Sequence, residues 1–159
     1  MNLDLREIPF YYVNLDDAIE RRNKIESHLK ALGIKEFHRI PATKHSNGFA
    51  GCARTVSDFL HQIEGGPFVL IEDDIEVKNW QPEIEVPDDA DALYLGISGW
   101  GRMNGHSGPF VQWDDLGNNL LRVYNMLSGH AIVYLSSDWV EMARRCCYHA
   151  GRSEEHTSE

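Results

Sequence analysis

Three adjacent carboxylates, Glu72-Asp73-Asp74, are the residues of this 159-residue chain whose types and spacing best suit a chemical role. Neighbouring negative charges repel one another, and a cation with oxygen ligands relieves that repulsion. Mg²⁺ and Mn²⁺ suit carboxylate sites, in which water and substrate phosphates complete the coordination shell. A solvated turn, with Lys78 nearby, is the alternative, and the spacing leaves both interpretations open. We call Glu72-Asp73-Asp74 the acidic cluster.

The strand before the acidic cluster determines where its carboxylates lie. Phe68–Ile71 is a continuous apolar run, typical of a strand inside a sheet. The acidic cluster should therefore emerge at the carboxyl edge of the sheet, where open α/β sheets bind their ligands. Because side chains alternate along a strand, Glu72 and Asp74 are predicted on one side and Asp73 on the other.

The first predicted strand, Ile8–Val13, should end at the same edge of the sheet. Asn14 and Asp16 follow it directly, and Arg21 lies about one helical turn further on. An Asn or Asp there can hydrogen-bond a nucleoside, and an Arg can bind a phosphate. Helix capping and a solvated helix face are the alternatives for each residue taken singly.

The remaining pattern is that of an α/β domain. Apolar periodicity predicts helices over about 17–32, 52–64 and 138–147, and the capping spacing of Asp17 with Glu20 and of Asp138 with Glu141 predicts N-caps at these two aspartates. Strands are predicted over 37–40, 92–95 and 130–135, with a hairpin of 110–113 with 121–124. The alternation of strand and helix predicts a mainly parallel sheet flanked by helices, with a small β-hairpin. Gly96–Gly108 is rich in glycine, so a mobile loop is expected there.

Composition argues against several classes of partner. Fifteen Lys and Arg against 25 Asp and Glu give a net charge of −10, which disfavours nucleic acid or an anionic membrane surface as the main partner. We find no apolar stretch long enough to span a bilayer and no signal-peptide pattern. Cys52, Cys146 and Cys147 have no metal-ligand spacing, which is typical of a reduced, cytoplasmic protein.

The last eight residues, Arg152–Glu159, contain no apolar side chain. They resemble the translation of a sequencing-adapter read, in which case the natural sequence is cut off near Gly151. The sequence therefore predicts one domain over residues 1–151, incomplete at its C-terminus, and a non-native or disordered tail over residues 152–159.

Six segments, in the correct order, resemble glycosyltransferase family 25, which contains lipooligosaccharide and collagen galactosyltransferases. The first three segments are Tyr12–Asp16 with Arg21-Arg22, which is similar to the family's NLD…R opening, Arg39–Ala42, similar to the strand before its alanine-containing loop, and Gly51–Ala53, similar to its GC-small helix. The last three are Val69–Asp74, similar to its LIxEDD signature, Ala92–Gly96, similar to its LYLG strand, and Gly129–Ser136, similar to its G-x-A-x-Y-L-I-S strand. The match spans nearly everything from Ile8 to about Ala143. One departure is Thr55-Val56, which stands where the family commonly has Ser-His.

The resemblance implies a GT-A-type, Rossmann-like fold. It also implies inverting transfer of a sugar, galactose among the candidates, from a UDP-linked donor to a saccharide or glycan hydroxyl, as in lipopolysaccharide or surface-glycan biosynthesis. The acidic cluster then resembles a DxD-type motif that holds Mn²⁺ or Mg²⁺, with Asp74 as the first candidate ligand. The metal ligands would be Glu72, Asp73 and Asp74. The residues that bind the nucleotide-sugar would be Asn14, Asp16, Arg21 and Asp73.

An inverting transfer also needs a general base near the acceptor hydroxyl. Asp114 and Asp115 are the candidates, with solvation of a hairpin turn as the alternative. His130 is a candidate metal ligand, with a structural role as the alternative. Two other functions stay open, a non-catalytic domain that binds nucleotide-sugars or glycans and a phosphohydrolase with an acidic cluster. A peripheral position at the inner membrane is compatible with the expected cytoplasmic location.

Overall fold

The computed structural model describes residues 1–152. Its helices are α1 (Ile19–Ala31), α2 (Gly48–Gln62) and α3 (Ser137–Arg152). Its strands are β1 (Asn2–Asp4), β2 (Phe10–Asn14), β3 (Phe37–Pro41), β4 (Phe68–Glu72), β5 (Glu83–Glu85), β6 (Ala92–Tyr94), β7 (Gly101–Met103), β8 (His106–Gly108), β9 (Trp113–Gly117), β10 (Leu120–Val123) and β11 (Ala131–Tyr134). The described part of the chain is therefore mixed α/β.

The central sheet has five strands in the order β3-β2-β4-β11-β6. β2 runs parallel to β3 and β4, whereas β11 runs antiparallel to both of its neighbours, β4 and β6. The sheet is therefore mixed, and the predicted parallel pairing is found in its β3-β2-β4 half. The chain leaves β6 at the carboxyl edge and re-enters β11 from that same edge after residues 95–130, so β11 runs in the opposite direction.

Helix α1 covers one face of the sheet. Its 3.6-residue period places Ile25 and Leu29 on one side of the helix, and both are buried against β2 and β4 side chains, among them Tyr12 and Ile71. Its N-cap is Ala18, which provides no side-chain hydrogen bond. The predicted cap at Asp17 is thus wrong: the Asp17 carboxylate is paired with the Lys44 ammonium at 3.0 Å.

Helices α2 and α3 cover the opposite face. Leu60 of α2 and Val140 of α3 are buried with Phe68, Leu70 and side chains of β3 and β11. The Arg144 guanidinium donates two hydrogen bonds, of 2.9 and 2.7 Å, to the Leu60 carbonyl oxygen near the end of α2. The sheet is thus the middle layer of three.

The starts of α2 and α3 differ from the prediction because of two caps. The Asn47 side chain accepts hydrogen bonds from the backbone amides of Phe49 and Ala50, so α2 begins at Gly48, four residues earlier than predicted. The Ser136 hydroxyl accepts from the Trp139 amide at 3.1 Å, so the cap of α3 is Ser136 rather than Asp138.

Residues 95–130 form two hairpins. β7 and β8 are joined by Asn104-Gly105, both at positive φ, which is a common two-residue hairpin turn. This hairpin occupies most of the segment predicted as a loop. The hairpin predicted for 110–113 with 121–124 is confirmed as the second of these two, β9 with β10. Its first strand lies later in the chain than predicted, because it begins at Trp113, where the predicted strand ends.

Helix α3 ends at Arg152, the first residue of the predicted tail, and Ser153–Glu159 lie outside the described residues. Over residues 1–152, none of the helices combines the length and the apolar character needed to cross a membrane.

Candidate functional site

The ends of β2 and β4 meet at the carboxyl edge of the sheet. Parallel pairing sets Val13 beside Glu72, so the next residues along the two strands are Asn14 and Asp73. The Asn14 side-chain nitrogen donates a hydrogen bond of 2.6 Å to the Asp73 carboxylate. The prediction that the two strand ends share one edge is therefore confirmed.

Asn14 is the buried centre of this group, with 2% of its surface exposed. Its side-chain nitrogen also donates to the Ala18 carbonyl at 3.1 Å, and its side-chain oxygen accepts from the Arg39 guanidinium at 3.0 Å. Protein groups thus occupy the Asn14 amide. Its predicted contact with a nucleotide stays a prediction, and its observed role is to join strands.

Arg39 is a member of the site that the sequence analysis did not single out. Besides the Asn14 side chain, its guanidinium contacts the Asn14 carbonyl at 3.0 Å and the Asp16 carboxylate. Arg39 is paired in register with Tyr12, so it lies on the face of the sheet that Asn14 occupies. A charged residue inside the predicted strand Phe37–Ile40 was the available signal.

Arg21 joins the site from the first turn of α1. One nitrogen of its guanidinium lies 3.3 Å from the Asp73 carboxylate and 3.7 Å from that of Asp74. Asp73 is buried, whereas the side chains of Arg21 and Asp74 are 48% and 59% exposed. Arg21 therefore compensates part of the acidic charge while facing solvent. We call the connected set, Asn14, Asp16, Arg21, Arg39, Asp73 and Asp74, the edge network.

Glu72 faces the other side of the sheet. Alternation along β4 places Glu72 with Phe68 and Leu70 toward α2 and α3, and Asp73 toward α1. The chain turns directly after Glu72, which brings Asp74 to the Arg21 side together with Asp73. The prediction that Glu72 and Asp74 share one side is therefore wrong, because strand alternation stops where the turn begins.

Partial burial raises the pKa of the Glu72 carboxyl, and the Asp74 charge raises it further while His130 opposes the shift. The His130 ring is held in place from two directions. Its Nδ1 lies 2.7 Å from the Ser128 hydroxyl, and a Cβ added at Gly96 would lie 2.7 Å from its Nε2. His130 therefore fits a structural role beside Glu72, and its predicted metal role stays a prediction.

The acidic cluster does not fit a three-carboxylate site for Mn²⁺ or Mg²⁺ as it is arranged. Glu72 faces away from Asp73, and the two oxygens of Asp73 already face Asn14 and Arg21. Consistently, no group of three or more His, Cys, Asp and Glu side chains in residues 1–152 is placed so that it could hold a metal ion. The metal roles of Glu72, Asp73 and Asp74 stay predictions.

Asp114 and Asp115, the predicted general bases, lie exposed on β9. The Asp114 carboxylate accepts a hydrogen bond from the Tyr124 hydroxyl, and that of Asp115 accepts from the Gly117 amide at 2.8 Å. Both partners belong to the same hairpin region, so these bonds stabilise it locally. A catalytic role for either residue stays a prediction.

Packing explains the residue types at two motif positions of α2. Val56, at the position where the resembled family commonly has His, packs against the apolar core between the sheet and helices α2 and α3. Gly51, which opens the GC-small motif, lies so close to the preceding loop that a Cβ would be 2.7 Å from the Thr43 carbonyl oxygen. Packing therefore accounts for both residues.

No protein-family model matches this chain, and the searches of curated proteins and of solved structures found no matching protein. The resemblance to glycosyltransferase family 25 accordingly depends on the ordered motifs alone.

Proposed function

We propose that the protein is a glycosyltransferase with a GT-A-like fold, which transfers a sugar from a nucleotide-sugar donor to the hydroxyl of a saccharide or glycan. The observation that carries the proposal is the hydrogen bond between Asn14 and Asp73. These residues are 59 positions apart and belong to two of the motifs, NLD…R and LIxEDD, that carry the resemblance. Their contact at the carboxyl edge is what a shared ligand site requires.

Inverting transfer has a simple electron balance. The acceptor oxygen attacks the anomeric carbon and loses its proton to a base, the bond from that carbon to the diphosphate oxygen breaks, and the nucleoside diphosphate leaves with the electron pair. Negative charge therefore grows on the leaving group, and a cationic side chain beside it lowers the barrier. Arg21 suits this role because it is half-exposed and can exchange Asp74 for a phosphate.

Arg39 has a different role in this proposal. Its side chain is only 20% exposed, and it is held by Asn14 and by Asp16. It fixes the direction in which the loop after β2 leaves the sheet. Asp16, 82% exposed within that loop, is then the residue best placed to meet the nucleoside.

The test is the release of UDP from a panel of UDP-sugars, with a mixture of saccharide acceptors, with and without Mn²⁺. The proposal expects turnover with at least one donor, and dependence on Mn²⁺ would support the predicted divalent-cation requirement. Arg21→Gln should reduce donor affinity at least tenfold, whereas Lys24→Gln, on the same helix and paired with Glu76, should not. Failure of every UDP-sugar both to bind and to react would overturn the proposal.

The same assay identifies the base. Removing a general base lowers turnover by about 10²- to 10⁴-fold with little change in donor affinity. Asp114→Asn and Asp115→Asn should be measured separately, because their carboxylates have different hydrogen-bond partners. A drop of that size in one variant assigns the base, and unchanged turnover in both removes these two candidates.

A non-catalytic domain that binds nucleotide-sugars is the second candidate. Asp114 and Asp115, the two candidate bases, are hydrogen-bonded within their own hairpin region. This favours the second candidate, because no carboxylate of the described residues is then assigned to the acceptor hydroxyl. Saturable binding of a UDP-sugar without UDP release, under all metal conditions, would select this function over transfer.

A further inference from the structure

A cavity of about 550 Å³ lies on the α1 face of the sheet, under the segment 75–81. The cavity is partly open to solvent, so a ligand can enter it. Small-molecule sites have volumes of roughly 300–1,000 Å³. The volume of this cavity therefore lies in the range of binding sites.

The inside of the cavity is apolar. Its lining includes three buried members of the core on that face, Leu29 of α1, Ile71 of β4 and Ala131 of β11, and Leu93 of β6, which is partly buried against that core. Trp80, half-buried, contributes an aromatic ring from the covering segment. An apolar group placed here would be removed from water at about 25 cal/mol per Å² of its surface, which favours binding.

The opening of the cavity is mostly polar. The lining residues exposed to solvent are the polar residues Glu76, Lys78, Asn79, Gln81 and Asn119 and one apolar residue, Ile97. One acid and one base leave little net charge, and three side-chain amides supply both donors and acceptors. This set suits a head group with hydroxyls and without charge.

We propose that this cavity binds a glycoside with an apolar aglycone, with the aglycone inside and the sugar hydroxyls against the amides at the opening. The opening adjoins the edge network, because Ile75 and Glu76 line the cavity and directly follow Asp74. If the protein is a glycosyltransferase, the bound glycoside is the acceptor; that assignment rests on the proposed function, whereas binding does not.

The experiment is a calorimetric titration without any donor, using n-octyl β-D-glucoside below its micelle concentration. Methyl β-D-glucoside and n-octanol, titrated separately, supply the sugar and the apolar group alone. Octyl glucoside should bind at least tenfold more tightly than either. Equal affinity for n-octanol would overturn the sugar part of the proposal, and absence of octyl glucoside binding would overturn all of it.

Two variants locate the ligand. Ala131→Leu fills the cavity and should weaken binding at least tenfold, while Ala143→Leu, the same change beside the core on the opposite face, should leave it unchanged. Trp80→Phe should keep most of the affinity and abolish the change in tryptophan fluorescence on binding, which tests the site even if Ala131→Leu does not fold. Equal affinities in both leucine variants, or an undiminished fluorescence change in Trp80→Phe, would place the ligand elsewhere. This assay does not measure donor turnover, so a failure of glycoside binding and a failure of the proposed transferase function are separate results.

Discussion

The side-chain amide of Asn14 donates a hydrogen bond of 2.6 Å to the buried carboxylate of Asp73, where the parallel strands β2 and β4 end side by side. Through its oxygen the same amide accepts from Arg39 of β3. One neutral side chain thus connects a negative group at the end of β4 with a positive group on β3, the two strands that flank β2. This places Asn14 and Asp73 in a supporting role, since the exposed members of the edge network are the ones that a ligand can reach.

Asn14→Ala should lower the free energy of unfolding by about 2–4 kcal/mol, because it leaves the buried Asp73 carboxylate with one partner fewer and removes one from Arg39. Urea denaturation measures the change. Asp74→Ala removes an exposed carboxylate from the same network and should alter stability by less than about 0.5 kcal/mol. Equal losses in the two variants would show that Asn14 does not support the edge.

Gly51→Ala should destabilise the protein by about 1–3 kcal/mol, because the new Cβ would lie 2.7 Å from the Thr43 carbonyl oxygen and 3.1 Å from the His45 Cβ. Gly48→Ala is the matched control in the same helix. No atom lies within 4 Å of a Cβ at that position, and alanine favours the helix by up to about 1 kcal/mol. Thermal denaturation of both variants should therefore give shifts of opposite sign, and a stabilised Gly51→Ala would contradict the close approach.

The meeting of Asn14 and Asp73 could be predicted because it depends on local patterns. Apolar runs identified β2 and β4, and adjacent parallel strands end at one edge. The reversed direction of β11 could not be predicted, because it is decided by where residues 95–130 return to the sheet. The hairpin of β7 and β8 was open to prediction from Asn104-Gly105, a typical two-residue turn.

The candidate site also divides into features that local sequence patterns predict and features that tertiary structure decides. Strand alternation correctly separated Glu72 from Asp73, since Glu72 is the last residue of β4 and Asp73 is the residue next to it. It failed for Asp74 because the chain has already turned, and no residue pattern states where a strand ends to within one position. Arg39 was missed because its contacts come from the register of β3 against β2, which is a tertiary property.

Glu72→Gln should stabilise the protein at neutral pH. Burial and the Asp74 charge raise the pKa of Glu72 above its ordinary value of 4.5, so the folded state holds this proton more tightly than the unfolded state. Stability is therefore lost as the pH rises from 4.5 through the raised pKa, and Glu72→Gln removes that loss. The difference in melting temperature between variant and wild type should be smallest below pH 4.5 and should grow to a plateau above the raised pKa. A difference that does not change with pH would contradict the shift.

Arg21→Gln should change the affinities for a cation and for an anion in opposite directions. The Arg21 guanidinium lies 3.3 and 3.7 Å from the carboxylates of Asp73 and Asp74, so its removal leaves two negative charges without this cation. A unit charge at about 4 Å is worth about 1 kcal/mol even in bulk water, so the affinity for Mn²⁺, followed by electron paramagnetic resonance, should rise roughly fivefold or more. If the proposed function holds, the affinity for UDP should fall in the same variant, because the half-exposed cation proposed to meet its phosphates is gone. Lys24→Gln removes one positive charge from the same helix without touching these carboxylates and should change neither affinity by more than about twofold. If Arg21→Gln lowered both affinities, Arg21 would organise the edge as a structural residue, and the proposed exchange of Asp74 for a phosphate would be wrong.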